Sequence, residues 1–485
     1  MSLKKETIKG IMWMGLAKYS GLLLSVIITA ILARKIAPSA FGTIAIAMVV
    51  LYFLNILADI GIGPAVVQYK QLTKQHLNSL FTLTIYIGVF LAFSLFSFSS
   101  IISNYFNDSV LETVCQAMVL VIFFNSLNVV PNALMRKDKL FRAIAFRTLF
   151  FQFLSGGIAI WGAFQGWGIY ALLVSPIITA IGVFCVNYYY YPLKFVLRMN
   201  SDAVKMVSSF SLFQFAFSFC NYFSRNLDKL IIGKFFSMTQ LGYYDKSYHL
   251  MMLPIQNISY VIEPVLHPVL STLQNNNHEL RTKNQKLAVM VSNISFPIGL
   301  MLFFCGAEVI NIFYGKQWNS AIPVFRILAL SLPLQMILST NVPVFQAAGK
   351  TIHLFVSGML NTLCTVTGFL IAAYWGSSIE SVAWSWNVTL FVNFIMTYFI
   401  MHTFTLKESS LTFFVSFFPQ LINSILTYII ISLILHFLPE FNIFVSLFLK
   451  IALVAFLNVG FALLLKQYSM TELFNAIRNF LITSR

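Results

Sequence analysis

Charge is what this sequence has least of. Only 9% of its 485 residues are Asp, Glu, Lys or Arg, where soluble domains run near about a quarter. A water-soluble globular class is therefore excluded. Acidic residues are scarcer still, 15 against 31 Lys and Arg. The five cysteines, Cys115, Cys185, Cys220, Cys305 and Cys364, sit in apolar segments without metal-type spacing, which points away from a disulfide framework and from a metal site. There is no GxxxxGK[ST] phosphate loop, no HExxH and no GxSxG elbow. No cofactor is implied, and an enzyme is not expected. Long polar loops are also missing, so nothing outside the apolar runs is large enough to fold as a domain.

What fills the chain instead is hydrocarbon: 59% of residues are hydrophobic and 50 are Phe. About fourteen apolar stretches of spanning length follow one another. The first, second, seventh and eighth run over about 12–33, 42–62, 209–233 and 242–270, with ends uncertain by a few residues. The start, MSLKKETIKG, is cationic, but the run after it has no small-residue cleavage site and continues to full span length, so it reads as a first transmembrane helix. Most Lys and Arg fall in every second gap, and the positive-inside rule then puts both termini in the cytoplasm. Clusters such as Arg136, Lys137, Lys139, Arg142 and Arg147 read as loop charge that orients helices and meets anionic lipid. The net charge of +16 is accounted for this way, and nucleic acid is not an expected partner. Trp167, Tyr188 to Tyr191 and Trp318 fall at span ends and read as interfacial belt residues.

The chain also repeats itself. A shift of 200 residues lays LARKIAPSAFG at 32–42 over IGKFFSMTQLG at 232–242, matching Arg34 with Lys234 and Gly42 with Gly242. Each repeat would hold six spans, and an even number makes the repeats parallel. The expected fold is all-α: a polytopic membrane protein with two six-helix lobes, 1–195 and 196–405, around a central cavity, and two additional C-terminal helices within 406–485.

Charge at membrane depth costs at least about 2.5–3.5 kcal/mol per residue on insertion scales, so such groups should face a cavity or a partner. In the seventh span Ser211, Gln214, Ser218, Asn221, Arg225 and Asp228 recur at steps of three and four, drawing one polar stripe, with Lys229 one residue off it. The eighth span repeats this with Lys246, His249, Gln256, Tyr260, Glu263 and His267. The first carries Lys18, Gly21, Ser25 and Thr29, and the second adds Asn55 and Asp59. Lys18, Asn221, Arg225, Lys229, Lys246 and Gln256 are the expected substrate-binding residues. Asp59, Asp228, Glu263, His249 and His267 are the expected gating or coupling residues. Arg225 and Asp228, three apart, either line the cavity or neutralise each other. His249 and His267 either carry protons or pack through hydrogen bonds. Asp245, near a helix start, reads as a cap or dipole partner. Glu308, Arg326 and Lys450, near span ends, read as snorkelling. A cavity richer in Lys and Arg than in Asp and Glu would attract phosphate or carboxylate, and inside a bilayer that suggests a lipid-linked phosphate.

Several stretches carry a resemblance: ARKIAPSAFGTIAIA at 33–47, LADIGIGPAVVQ at 57–68, VVPNALMRKDKLFRAIA at 129–145, RNLDKLIIGKFFSMTQLGYYDKS at 225–247 and AEVINIFYGKQWNSAIPVFRILAL at 307–330. The chain resembles the polysaccharide transporter family, the Wzx-type flippases of lipid-linked oligosaccharides. Their superfamily also holds multidrug and toxin extrusion transporters and lipid II flippases. The resemblance implies alternating access, with an undecaprenyl-pyrophosphate-linked oligosaccharide as substrate. That unit would be moved across the bacterial cytoplasmic membrane for O-antigen, capsule or exopolysaccharide assembly. Membrane lipids and polysaccharide polymerase or assembly proteins are the implied partners. It also implies that the first, second, seventh and eighth helices line the cavity, where polar stripes already stand. Within the RNLDK stretch, Arg225, Asp228 and Lys229 match the family. The alternative is a cation- or proton-coupled exporter of small amphiphiles; that branch often depends on an acidic residue in the first helix, where this chain has Lys18.

Overall fold

The protein was analysed as a computed structural model, which describes residues 3–69, 71–197, 215, 222, 226–274, 276–376, 378–439 and 441–465. All regular structure among them is helical. Eleven helices among the described residues are long and apolar enough to cross a membrane. A bent pair, Lys316–Ala329 with Leu332–Ala347, makes a twelfth if taken as one span broken by 44°. The helix at Met238–Ser271 is not among the eleven. The expected seventh span falls mostly outside the described residues. The chain is a multi-pass membrane protein.

The chain divides into two compact units: Met1–Asp245 with Phe313–Gln317, and Lys246–Ile312 with Trp318–Arg485. The first unit contains α1 (Leu3–Lys35), α2 (Pro38–Asp59), α3 (Ile62–Gln68), α4 (Lys74–Phe106), α5 (Ser109–Lys137), α6 (Phe141–Phe164), α7 (Ile169–Tyr190) and the helical segment α8 at 226–235. Here α1 lies on α6, and α5 touches α2, α3, α4 and α7. Its core gathers Ile62, Val66, Leu80, Phe81, Val130, Leu134 and Leu193. Helix breaks follow local chemistry. Asp108 caps α5 by accepting from the Val110 N–H at 3.1 Å, while Asn107 ends α4 in the left-handed region at φ 54°.

The unit boundary at Asp245 falls inside α9 (Met238–Ser271). The second unit holds the rest of α9 with α10 (Asn277–Phe304), α11 (Gly306–Phe313), α12 (Ile322–Ala329), α13 (Leu332–Leu338), α14 (Asn341–Ala347), α15 (Thr351–Trp375), α16 (Ile379–Phe399), α17 (Leu411–Val415), α18 (Phe418–Phe437) and α19 (Ile443–Leu464). Leu300 and Phe304 of α10 pack with Ile431 of α18 and Val454 of α19. This ties the C-terminal pair to the unit. Trp318 corrects an expectation: it is wholly buried (0%) and not an interfacial ring. It sits in a short 3-10 turn, Lys316–Ala321, where chain curvature turns the indole inward. Trp167 is exposed and stacks edge-on against Trp161 at 5.3 Å.

The 200-residue shift is visible in the backbone. The first helix ends at 35 and α8 at 235, and the next helices start at Pro38 and Met238. The matched glycines then meet. A Cβ on Gly42 would lie 1.8 Å from the Met238 carbonyl oxygen, and one on Gly242 would lie 2.1 Å from the Pro38 carbonyl oxygen. Each glycine thus faces the repeat counterpart of its partner's contact. Only hydrogen side chains allow the two helix starts to cross this closely.

Candidate substrate site

The first unit holds two charged residues of the seventh-span reading, Asp228 and Lys229, on α8. Asp228 on α8 is 5% exposed. Its Oδ1 accepts from the Lys229 backbone N–H at 2.8 Å, and the Tyr244 hydroxyl lies against the carboxyl. The Lys229 ammonium turns to Asp245 and meets its Oδ1 at 2.7 Å. Asp245 is thus an ion-pair partner and not a cap: α9 follows α8 after a break of two residues, and its first turns put Asp245 within reach of Lys229. Tyr314, outside the spans and 2% exposed, has its phenol pushed up by burial and then by the Asp245 carboxylate. Tyr222, 7% exposed, donates to the Val49 carbonyl at 2.6 Å and packs its ring on Phe53, fixing the chain just before α8 against α2.

On α2, Asp59 Oδ1 accepts from the Gly63 N–H at 2.7 Å and so secures the turn into α3. That turn needs Gly61 at φ 77°. Asn55 accepts from the Asn125 amide at 3.1 Å. Tyr52, Asn55, Asp59, Pro64 and Phe215 line a hollow of about 290 Å³. On α1 Lys18 is exposed, its ammonium 5.8 Å from the Tyr19 ring centroid. Gly21 of the same stripe gives its carbonyl to the Gln152 amide at 2.7 Å.

The second unit carries Lys246 and Gln256 half-buried and His249 exposed on α9. Glu263 and His267 lie on the same helix, and their side chains are outside the described set. Arg225 and Asn221 fall outside the described residues altogether.

Three charged side chains depart from what the sequence leads one to expect. Arg147, taken as loop charge, is 7% exposed within α6 and donates to Asn132 Oδ1 at 2.8 Å. Glu308 and Lys450, taken as snorkelling, form an ion pair of 2.5 Å with side chains only 8% and 14% exposed. The available signal was that each is a charge inside an apolar stretch, and charges of opposite sign inside a bilayer seek each other. Their 142-residue separation hides the match. Outside the spans, Tyr191 donates to Asp138; burial and then that carboxylate push its phenol up. No group of three or more His, Cys, Asp or Glu able to hold a metal occurs among the described residues.

The family described as polysaccharide biosynthesis protein matches residues 31–323. The chain belongs to this family. The "Lipopolysaccharide biosynthesis protein WzxC" of Escherichia coli K12 is 23% identical over 83% of this chain and 82% of its own length. The "Succinoglycan biosynthesis transport protein ExoT" of Rhizobium meliloti is 24% identical over 78% and 77%. Among solved structures, "Lipid II flippase MurJ, inward closed conformation" superposes with a TM-score of 0.70 at 14% identity, covering 93% of this chain and 97% of that one. An inward-facing "multidrug resistance MATE family transporter of the MOP superfamily" gives 0.55 at 15% identity over 77% and 92%. At those identities the likeness is one of fold. The matched family region contains α2, the α8–α9 ion cluster and Glu308.

Proposed function

We propose that this chain is a flippase. It moves an undecaprenyl-pyrophosphate-linked oligosaccharide across the bacterial cytoplasmic membrane by alternating access, for O-antigen, capsule or exopolysaccharide assembly, with both termini cytoplasmic. The observation that carries the reading is membership of a polysaccharide biosynthesis family together with the buried Asp228 and the Lys229–Asp245 ion pair on α8 and α9. Helices with no polar duty do not keep Asp228 and Lys229 inside an apolar run. The relative named for succinoglycan transport matches over more than three-quarters of both chains.

In this reading Lys18, Asn221, Arg225, Lys246 and Gln256 meet the pyrophosphate and the first sugars, while the isoprenoid tail stays in lipid. Lys229 joins them when its bond to Asp245 opens. Asp59, Asp228, Glu263, His249 and His267 gate or couple the cycle. The repeat of six spans, 1–195 and 196–405 with 406–485 appended, supplies the two moving halves. The test is transport by the purified chain in vesicles loaded with a fluorescent lipid-linked oligosaccharide. We expect the label to become accessible on the opposite leaflet, and Lys18→Ala with Lys246→Ala to slow this by about tenfold or more, the worth of one charge-assisted phosphate contact. Failure of the active protein to expose the label, with a control flippase working in the same vesicles, would reject the reading.

A further inference from the structure

We propose that the second unit holds a regulatory or stabilising site for a phospholipid headgroup that carries a primary ammonium, built between α11 and the α18–α19 pair. A cavity of about 490 Å³ opens there, with Glu308, Asn311, Ser446 and Lys450 as its polar wall. Leu435, Leu438 and Leu449 are among its apolar lining.

The hydrogen-bond inventory of that wall is lopsided. Glu308 Oε1 accepts from two donors, Ser446 Oγ at 2.6 Å and Lys450 Nζ at 2.5 Å. Glu308 Oε2 is buried and has no partner among the described residues. Asn311 spends its amide on the Ala307 carbonyl at 3.0 Å, which leaves its Oδ1 buried and unpartnered as well. Buried acceptors of this kind are normally satisfied, and a carboxylate oxygen most of all. The wall therefore asks for a donor, and a cationic one. The Lys450 ammonium has three N–H groups and one bond among those described, so the same wall also offers donors to an acceptor.

A group that gives N–H donors at one end and accepts at the other is an ammonium joined to a phosphodiester by a short carbon link. Its ammonium would satisfy Glu308 Oε2 and Asn311 Oδ1, its phosphate oxygens would accept from Lys450, and its acyl chains would run along the leucines. The Glu308–Lys450 pair has no net charge, so a zwitterion fits it best. A quaternary ammonium has no N–H to donate, and a purely anionic headgroup meets the carboxylate unfavourably. The site is separate from the residues assigned to transport, so it stands or falls independently of that reading.

The test presents the purified full chain with equal amounts of phosphatidylethanolamine, phosphatidylcholine and phosphatidylglycerol, and weighs the bound lipid by native mass spectrometry. We expect phosphatidylethanolamine to be retained over phosphatidylcholine by about tenfold, the equivalent of one charge-assisted hydrogen bond. Glu308→Gln should reduce that preference to near parity. Leu438→Trp, which fills the cavity and leaves the ion pair untouched, should abolish it, and decides the matter if the first variant cannot be purified. Equal retention of the two zwitterionic lipids, preference for phosphatidylglycerol, or an undiminished preference in Leu438→Trp would overturn the proposal.

Discussion

The two units each bury an ionic cluster, and the clusters are built on opposite plans. In the first, two carboxylates meet one lysine, Asp228 through its backbone N–H and Asp245 through its ammonium. Asp228 is held by a backbone N–H one residue away. In the second, one carboxylate meets one lysine from helices 142 residues apart, and an oxygen is left over beside an open cavity. In the first cluster both carboxylates have a described donor, whereas in the second one carboxylate oxygen has none among the described residues. Burying charge is tolerable when each ion finds its partners, and costly when one is withdrawn. The two plans should therefore respond differently to the same surgery.

The largest effect is expected from Lys229→Ala. It removes the ammonium that Asp245 meets beside Asp228, and loss of a buried partner costs about 3–5 kcal/mol. Lys450→Ala strands a single carboxylate that water or a lipid donor can reach through the cavity, so its cost should be smaller, on the order of 1–3 kcal/mol. Thermal unfolding of the purified proteins in one detergent measures both. Equal losses would erase the distinction between the two clusters.

The next test removes both partners. Lys229→Met with Asp245→Leu should recover most of the stability lost in Lys229→Ala, since replacing a whole buried pair with apolar side chains is often neutral or better. Transport of the labelled oligosaccharide should nevertheless fall, because Lys229 is one of the proposed substrate-binding residues. Recovery of both stability and transport would reduce the first cluster to packing alone.

Sequence reading reached one cluster far better than the other, and the reason is range. Asp228 lies on the polar stripe of the seventh span and Lys229 one residue off it, so helical spacing and the price of intramembrane charge single out these two on paper. What spacing could not give is the choice of partner. Asp245 looks like a helix cap until the fold of α9 on α8 and on α2, at the Gly42–Gly242 crossing, is seen. The signal for that crossing was present as a repeat of 200 residues, yet a repeat states equivalence and not contact. Glu308 and Lys450 were visible only as isolated charges near span ends, because nothing in one sequence announces a pairing across 142 residues. Arg147 was lost for a simpler reason: it stands next to a run of loop cations, and its burial depends on Asn132 of the preceding helix.

A smaller effect separates the clusters by their supports. Gly42→Ala or Gly242→Ala pushes a methyl into a carbonyl oxygen of the opposing helix start, and overpacking of this kind costs about 1–3 kcal/mol. By the symmetry of the crossing the two variants should lose similar amounts. Gly242 lies three residues before Asp245 on α9, so displacing it should also lengthen the bond to Lys229. A double-mutant cycle reads that directly. Gly242→Ala and Asp245→Asn should be coupled by at least about 0.5 kcal/mol, while Gly242→Ala and Ser446→Ala, which share no partner, should add within about 0.3–0.5 kcal/mol. Additivity in the first cycle would mean that the glycine crossing does not position the ion pair. Coupling in the second would mean that the two clusters are not the independent devices their hydrogen bonding suggests.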